Sequence, residues 1–263
     1  MTDAAVAATA KLDFGRVIQG TFGAIKRNFT TFLILVLLLV GAPGLLLIVG
    51  AVMAGGGAVA AGGGLIGLGV LLLSVSSIML QGALVHATVA DLNGRHATVG
   101  ECVSTGLRTF LPVFAILILF TLGVGLSALA FIFPAFMVAV AWSVSVPAQI
   151  VERSGVFGSF TRSGQLTKNN RWRIFGLVLL WWIISTAVQG TLTNLAGVTP
   201  MAQLSAGGPA SPLTMFGPGY WATVVFVGVF NAMVSGAGIA VIYYELRRVK
   251  EGVGPEALAA VFD

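Results

Sequence analysis

The chain has 263 residues, of which 57% are hydrophobic and only 9% are charged. A soluble domain carries about 25% charged residues, so this chain has too little polar surface to cover a water-soluble globule. The composition excludes a soluble enzyme, a disordered chain and a nucleic-acid-binding domain as descriptions of the whole molecule, and it indicates an integral membrane protein. The single cysteine, Cys102, excludes a disulfide framework and a thiolate zinc cluster.

Six stretches are long and apolar enough to cross a bilayer, which takes roughly 20 apolar residues per helix. The candidate spans are residues 32–54, 65–88, 110–131, 134–151, 174–196 and 220–243. The third and fourth lie within one charge-free region, 110–151. That region could form one very long helix or a hairpin that turns near Phe131–Pro134.

The positive charges decide between these alternatives. All fourteen Lys and Arg residues fall in four segments. These segments are Lys11 to Arg27, Arg95 to Arg108, Arg153 to Arg173 and Arg247 to Lys250. Basic flanks of membrane spans stay on the cytoplasmic side. Six spans place every basic residue on that side, whereas five would place the third segment outside, so we expect a hairpin and cytoplasmic termini.

An amphipathic segment precedes the first, third and fifth spans. Phe14, Ile18 and Phe22 lie on one helical face before the first span, and the pattern returns 85 residues later with Val99, Val103 and Leu107. Thr98 and Glu101 have capping-box spacing, which predicts a helix start there. A poorer third copy contains Val156, Phe160 and Leu166.

These patterns predict an all-α integral membrane protein with six transmembrane helices and both termini cytoplasmic. The helices would form three parallel repeats, each an interfacial amphipathic helix followed by a transmembrane hairpin. We expect a single membrane domain over residues 1–263, with units at about 12–90, 97–151 and 154–245 and a cytoplasmic tail at 246–263. The alternative is that any cytoplasmic linker between hairpins tends to be amphipathic.

Glycines and uncharged polar residues recur along the apolar stretches. The run from Gly55 to Gly64 reads as a flexible outer loop, whereas glycines inside spans predict close helix packing. We attribute Ser76, Gln81, Gln149 and Asn231 to hydrogen bonds between helices. The alternative is that these four side chains line a path for a solute.

The sequence contains no recognisable catalytic set. No Asp, Glu, Lys or Arg lies deep in a span, and neither His86 nor His96 has neighbours at metal-ligand spacing. No serine lies in a nucleophile-elbow motif. We therefore expect no catalytic, cofactor-binding or metal-binding residues, no cofactor and no enzymatic activity.

The most distinctive segment follows Pro147-Ala148. It contains Glu152-Arg153-Ser154-Gly155-Val156, then Arg162-Ser163, Leu166-Thr167 and Asn170-Arg171-Trp172-Arg173-Ile174-Phe175, and the chain later reads Tyr243-Tyr244-Glu245-Leu246-Arg247-Arg248-Val249-Lys250-Glu251-Gly252. These runs resemble the membrane-domain family named after glycerophosphoryl diester phosphodiesterases. The resemblance implies a six-span protein of the bacterial plasma (inner) membrane. Only twenty residues follow residue 243, so we expect no catalytic barrel, and phosphodiesterase activity does not carry over.

Two clusters of basic residues flank the last two spans, at the level of the lipid headgroups. The candidate contacts with anionic lipid are Arg162, Lys168, Arg171, Arg173, Arg247, Arg248 and Lys250. The alternative is that these residues only set topology and anchor the helices. We expect a non-enzymatic lipid-interacting or scaffold protein with the lipid bilayer, anionic lipids, a membrane protein or a second copy as partner, and no nucleic acid. A transporter or channel component for a small or apolar solute is the alternative function.

Overall fold

The computed structural model describes residues 11–195 and 218–252. All secondary structure in these two ranges is helical. The helices are α1 (Phe14–Arg27), α2 (Phe29–Val36), α3 (Ala42–Gly55), α4 (Val59–Leu92), α5 (Val99–Ala130), α6 (Ile132–Ala141), α7 (Ser145–Glu152), α8 (Val156–Thr167), α9 (Arg171–Leu195) and α10 (Pro218–Glu251). A π-helical turn, Leu37–Gly41, joins α2 to α3. Most of the predicted connection 197–219 and of the tail 246–263 lies outside the described residues.

The predicted fold class, an all-α multi-span membrane protein, is confirmed. Six helical segments in the described ranges are long and apolar enough to cross a membrane. They are Phe29–Ala54, Val59–Leu92, Val99–Leu129, Phe133–Glu152, Arg171–Leu195 and Phe226–Glu251.

The glycine run predicted as an outer loop is mostly helical, so that prediction is wrong. Helix α4 already begins at Val59, and only residues 56–58 separate it from α3. A Cβ atom at Gly62 would lie 2.5 Å from the Gly50 carbonyl oxygen and 2.5 Å from the Ala54 amide nitrogen. Gly62 therefore allows the backbones of α3 and α4 to approach closely, a common role of glycine between membrane helices.

The amphipathic segment before the third span is not a separate helix. The capping box of Thr98 and Glu101 forms as predicted, but α5 then continues without interruption for 32 residues. The first and third copies are separate helices, α1 and α8. In α8 the buried side includes Ser159 and Ser163 beside the predicted apolar residues.

The charge-free region 110–151 turns at Phe131, as the charges predict. Phe131 is extended, with φ −162° and ψ 148°, and separates α5 from α6. A Cβ atom at Gly123 would lie 2.2 Å from the Trp142 ring, so the two arms of this hairpin pack closely. The second arm is itself interrupted at residues 142–144, where α6 ends and α7 begins.

The chain divides into two compact units. The first contains Ile78–Val178 together with the described residues up to Phe32 and from Val234 onward, and the second contains Leu33–Ser77 and Leu179–Met233. A large apolar cluster in the first unit joins α1, α6–α9 and α10 through buried residues. These include Leu12, Val17, Val140, Val144, Leu166, Ile174, Val241, Tyr243 and Leu246. In the second unit, α9 contacts α10 through Trp181 and Phe230, whose ring centroids are 5.8 Å apart.

Candidate functional site

The structure separates the seven predicted headgroup contacts into paired and unpaired cations. Arg162, Arg247 and Arg248 each form a salt bridge with a glutamate. Arg173 donates to a backbone carbonyl group. The remaining three, Lys168, Arg171 and Lys250, have no carboxylate partner within the described ranges.

Arg162 and Arg247 meet in a network with two glutamates. Arg162 Nε donates to both oxygens of Glu152, at 2.9 and 2.8 Å, and its Nη2 donates to Glu251. Arg247 Nε donates to Glu251 at 3.0 Å, and the Tyr243 hydroxyl donates to Glu152 at 2.7 Å. Two guanidinium groups and two carboxylates balance in charge. This network links α7, α8 and α10, and it offers little net positive charge to a lipid.

Burial alone would lower the pKa of Arg162. Hydrogen bonds to Glu152 and Glu251 outweigh that effect and raise the pKa, so this arginine stays charged at any physiological pH. The four charged side chains of the network are 21–28% exposed. Its charges are therefore shielded more from water than those of the exposed pair Arg16–Asp13 at 3.5 Å, whose side chains are 48% and 50% exposed.

Arg173 has a structural partner at the start of the chain. Its Nη1 donates to the Leu12 carbonyl oxygen at 2.6 Å, and the Leu12 amide donates to Asn170 Oδ1 at 3.1 Å. Leu12 is fully buried. Arg173 and Asn170 thus fix the segment that leads into α1, so we assign Arg173 a positioning role.

Lys168 and Arg171 flank the turn between α8 and α9. Asn169 adopts a left-handed conformation, φ 69°, and allows this tight turn. Arg171 is the first residue of α9, where the helix dipole adds partial positive charge. The Arg171 Nε atom is buried and has no hydrogen-bond acceptor in the described part of the chain. Positive charge is therefore concentrated at this turn.

Over the whole described part of the chain, the basic residues again divide into those that pair with a carboxylate and those that do not. Five of the fourteen basic residues pair with carboxylates within the described ranges. These are Arg16, Arg27, Arg162, Arg247 and Arg248. The described carboxylate outside these pairs, Glu101, accepts from the Thr98 amide in the capping box. The other nine basic residues therefore carry the net positive charge.

The pair of Arg27 and Asp91 was not predicted from the sequence. Arg27 Nε and Nη2 donate to the two Asp91 oxygens at 3.0 and 2.6 Å, and hydrogen bonding to Asp91 raises the pKa of Arg27. Nearby, His96 Nδ1 lies 3.4 Å from Asn28 Oδ1. No sequence motif marks this pair, because its members come from different segments of the chain.

Two of the four uncharged polar residues considered for a solute path have side-chain partners. Ser159 donates to Gln149 Oε1 at 2.9 Å, and Ser185 donates to Asn231 Oδ1 at 2.8 Å. Gln81 Oε1 is buried and has no partner among the described residues. Packing between helices thus accounts for Gln149 and Asn231.

Across the described residues, no three His, Cys, Asp or Glu side chains are close enough together to hold a metal ion. Comparison of the chain with protein-family models, with curated proteins and with solved structures gives no match.

Proposed function

We propose that this chain is a non-enzymatic, lipid-interacting scaffold protein of the bacterial plasma membrane, with both termini in the cytoplasm. Its cytoplasmic basic face binds anionic phospholipid headgroups, and the turn between α8 and α9 is the centre of that face. The observation that carries the proposal is the absence of a carboxylate partner for Lys168 and Arg171 within the described ranges, while Arg162, Arg247 and Arg248 are all paired.

The physical chemistry of the turn suits a phosphate group. A basic residue beside an anionic leaflet contributes about 1 kcal/mol to binding. The planar guanidinium of Arg171 can donate two parallel hydrogen bonds to one phosphate, whereas Lys168 acts as a point charge. Trp172 follows directly and is 65% exposed. An exposed tryptophan at a helix end is typical of the headgroup level.

The interior supports a scaffold better than a solute path. Gln149 and Asn231, two polar side chains within the apolar helices, accept hydrogen bonds from neighbouring side chains. Gly62 and Gly123 serve close helix contacts that leave no space for a Cβ atom. The family resemblance supports the membrane location and contributes nothing to catalysis, because it covers only the membrane part of those enzymes.

Lipid retention measured by native mass spectrometry tests the proposal. The variant Lys168→Gln with Arg171→Gln should retain markedly less phosphatidylglycerol and cardiolipin than the parent protein. The matched control, Arg16→Gln with Arg248→Gln, removes the same number of positive charges from residues that already pair with carboxylates. Equal retention by the two double variants would show that only net charge matters and would refute a site at this turn. Thermal melting of each variant confirms that it is folded.

A further inference from the structure

Both ends of α6 lie beside one short stretch of chain. The Phe133 ring centroid is 6.2 Å from that of Trp172, at the start of α9. At the other end of α6, the Ala141 carbonyl oxygen accepts from Thr167 Oγ1 at 3.2 Å, at the end of α8. Thr167 and Trp172 are only five residues apart in sequence. The whole of α6 therefore lies alongside the junction between α8 and α9.

A second ring contact joins α6 to α9. One turn after Phe133 and Trp172, the rings of Phe136 and Phe175 meet edge to face with centroids 5.6 Å apart. The two helices thus start at the same level and run in the same direction. Successive helices that cross a membrane in opposite directions would bring the start of one beside the end of the other.

The start of α9 lies beside α1 in the first unit. A Cβ atom at Gly176 would contact the Phe14 ring at 3.6 Å. The far end of α1 is fixed to the last turn of α4 by the pair of Arg27 and Asp91. Helix α1 therefore links the start of α9 to the end of α4, and the turn at Phe133 lies beside this surface of the first unit.

Neither of the two helices after the turn is long enough by itself to reach the opposite side. Helix α6 has 10 residues and is about 15 Å long, while the hydrocarbon core is about 30 Å thick. Helix α7 then runs antiparallel to α8, because the Val144 amide donates to Ser163 Oγ and Ser159 donates to Gln149. The fourth candidate span is therefore two short helices folded against α8.

We infer that the hairpin of α5 and α6 does not cross the bilayer. It lies within the leaflet on the side of α1, and its turn at Phe131 faces the water on that side. Only α2–α3, α4, α9 and α10 then cross the membrane completely. An even number of crossings still leaves both termini and all four basic segments on one side, so the charge distribution favours this topology as well as one with six crossings.

The acyl chains of the adjacent leaflet cover the outward face of this hairpin. Helix α5 exposes one continuous apolar stripe, while Val113 and Ile116 on another face are fully buried. The stripe comprises Leu107, Leu111, Phe114, Ile118, Leu122, Leu126 and Leu129. It has no charged residue after Arg108 and continues through exposed Phe131 and Phe133 to Trp172. Among the described side chains of α5 after Arg108, Thr121 is the one that is both polar and exposed, and its hydroxyl donates to the Leu117 carbonyl oxygen. Protein interfaces carry a polar rim, so lipid fits this surface better.

Sided labelling tests the topology. A Gly-Ser-Cys-Ser-Gly insert between Phe131 and Ile132, in a Cys102→Ser background, keeps the new thiol in water. We expect an impermeant maleimide to label it only in inverted vesicles, as with the control Asn169→Cys. The control Gly56→Cys, between α3 and α4, should be labelled only from outside. Labelling of the insert from outside would overturn the inference.

Two further measurements cover the outcome in which the insert reacts from neither side. A bismaleimide of about 10 Å should cross-link Phe133→Cys to Trp172→Cys in native membranes, because a complete crossing would separate them by about 30 Å. The control pair Gln149→Cys and Ser159→Cys should also cross-link. If only the control pair reacts, the hairpin crosses the membrane. A nitroxide at Leu122→Cys should be relaxed by oxygen; inaccessibility to oxygen would mean that a protein surface, and not lipid, covers the stripe.

Discussion

Arg27 donates three hydrogen bonds to Asp91, which lies 64 positions later in the sequence: two from Nε, at 3.0 and 3.1 Å, and one from Nη2, at 2.6 Å. The carboxylate side chain is only 2% exposed, whereas the guanidinium side chain is 52% exposed. A buried carboxylate without its partner is costly, while an exposed arginine without its partner is not. This asymmetry predicts that Asp91 without Arg27 destabilises the protein more than Arg27 without Asp91.

We therefore expect Arg27→Ala to lower the free energy of unfolding by about 1–3 kcal/mol. Arg27→Ala with Asp91→Asn should recover part of that loss, because the double variant no longer leaves a buried negative charge. Thermal or denaturant unfolding of the purified protein in one detergent measures both. If the double variant is no more stable than Arg27→Ala, the buried charge is not the source of the cost.

The network around Arg162 predicts unequal effects of two arginine substitutions. Arg162→Gln leaves both Glu152 and Glu251 short of a donor, whereas Arg16→Gln removes one half-exposed contact with Asp13. We expect the first to cost about 1–3 kcal/mol and the second to cost much less, as for exposed pairs. Unfolding curves recorded at low and high salt measure both costs. Equal costs at both positions would contradict the role assigned to the network.

The sequence predicts the helical content and the apolar segments well, because each depends on local composition. The turn at Phe131 follows from the need to keep residues 153–173 on the side of the other basic segments. The loop predicted for the glycine run before Leu65 is wrong, because composition alone does not show that Gly62 faces Gly50 and Ala54 across a helix contact.

The roles of the basic residues depend on tertiary contacts and could not be predicted. Arg162 and Arg171 look alike in sequence, yet one meets two glutamates from different helices and the other meets none in the described ranges. The break at residues 142–144 has one local signal, Pro147 in the first turn of α7, which cannot donate to the Ser143 carbonyl group, but proline is also tolerated inside membrane helices. Partners brought together by folding decide both features.

Gly62 and its neighbour Gly63 form a matched pair for testing helix packing in the second unit. A Cβ atom at Gly62 would meet backbone atoms at 2.5 Å, whereas one at Gly63 would meet nothing within 4 Å. Gly63→Ala should be neutral or stabilising by up to about 1 kcal/mol, since alanine favours helix. Gly62→Ala should cost about 1–3 kcal/mol, because backbone cannot yield as a side chain can. Comparable melting temperatures of the two variants would show that the close contact does not constrain the fold.

Helix α1 exposes an apolar row beside its buried face. Phe14, Ile18 and Phe22 are 39%, 39% and 46% exposed, whereas Val17 and Thr21 are buried against the rest of the first unit. The last turn of the same helix carries the basic residues Lys26 and Arg27. An apolar row beside basic residues suits the boundary between headgroups and acyl chains. We therefore propose that this row faces lipid.

Spin labels in nanodiscs test this placement without disturbing the buried face. In a Cys102→Ser background, a nitroxide at Phe22→Cys should be relaxed more by oxygen, which concentrates in hydrocarbon, than by a water-soluble nickel chelate. The matched control is Gln19→Cys, an exposed polar position on the same helix, which should show the reverse preference. Because both labels replace exposed side chains, neither should alter the melting temperature. A nickel preference at both positions would place α1 in water and refute the interfacial assignment.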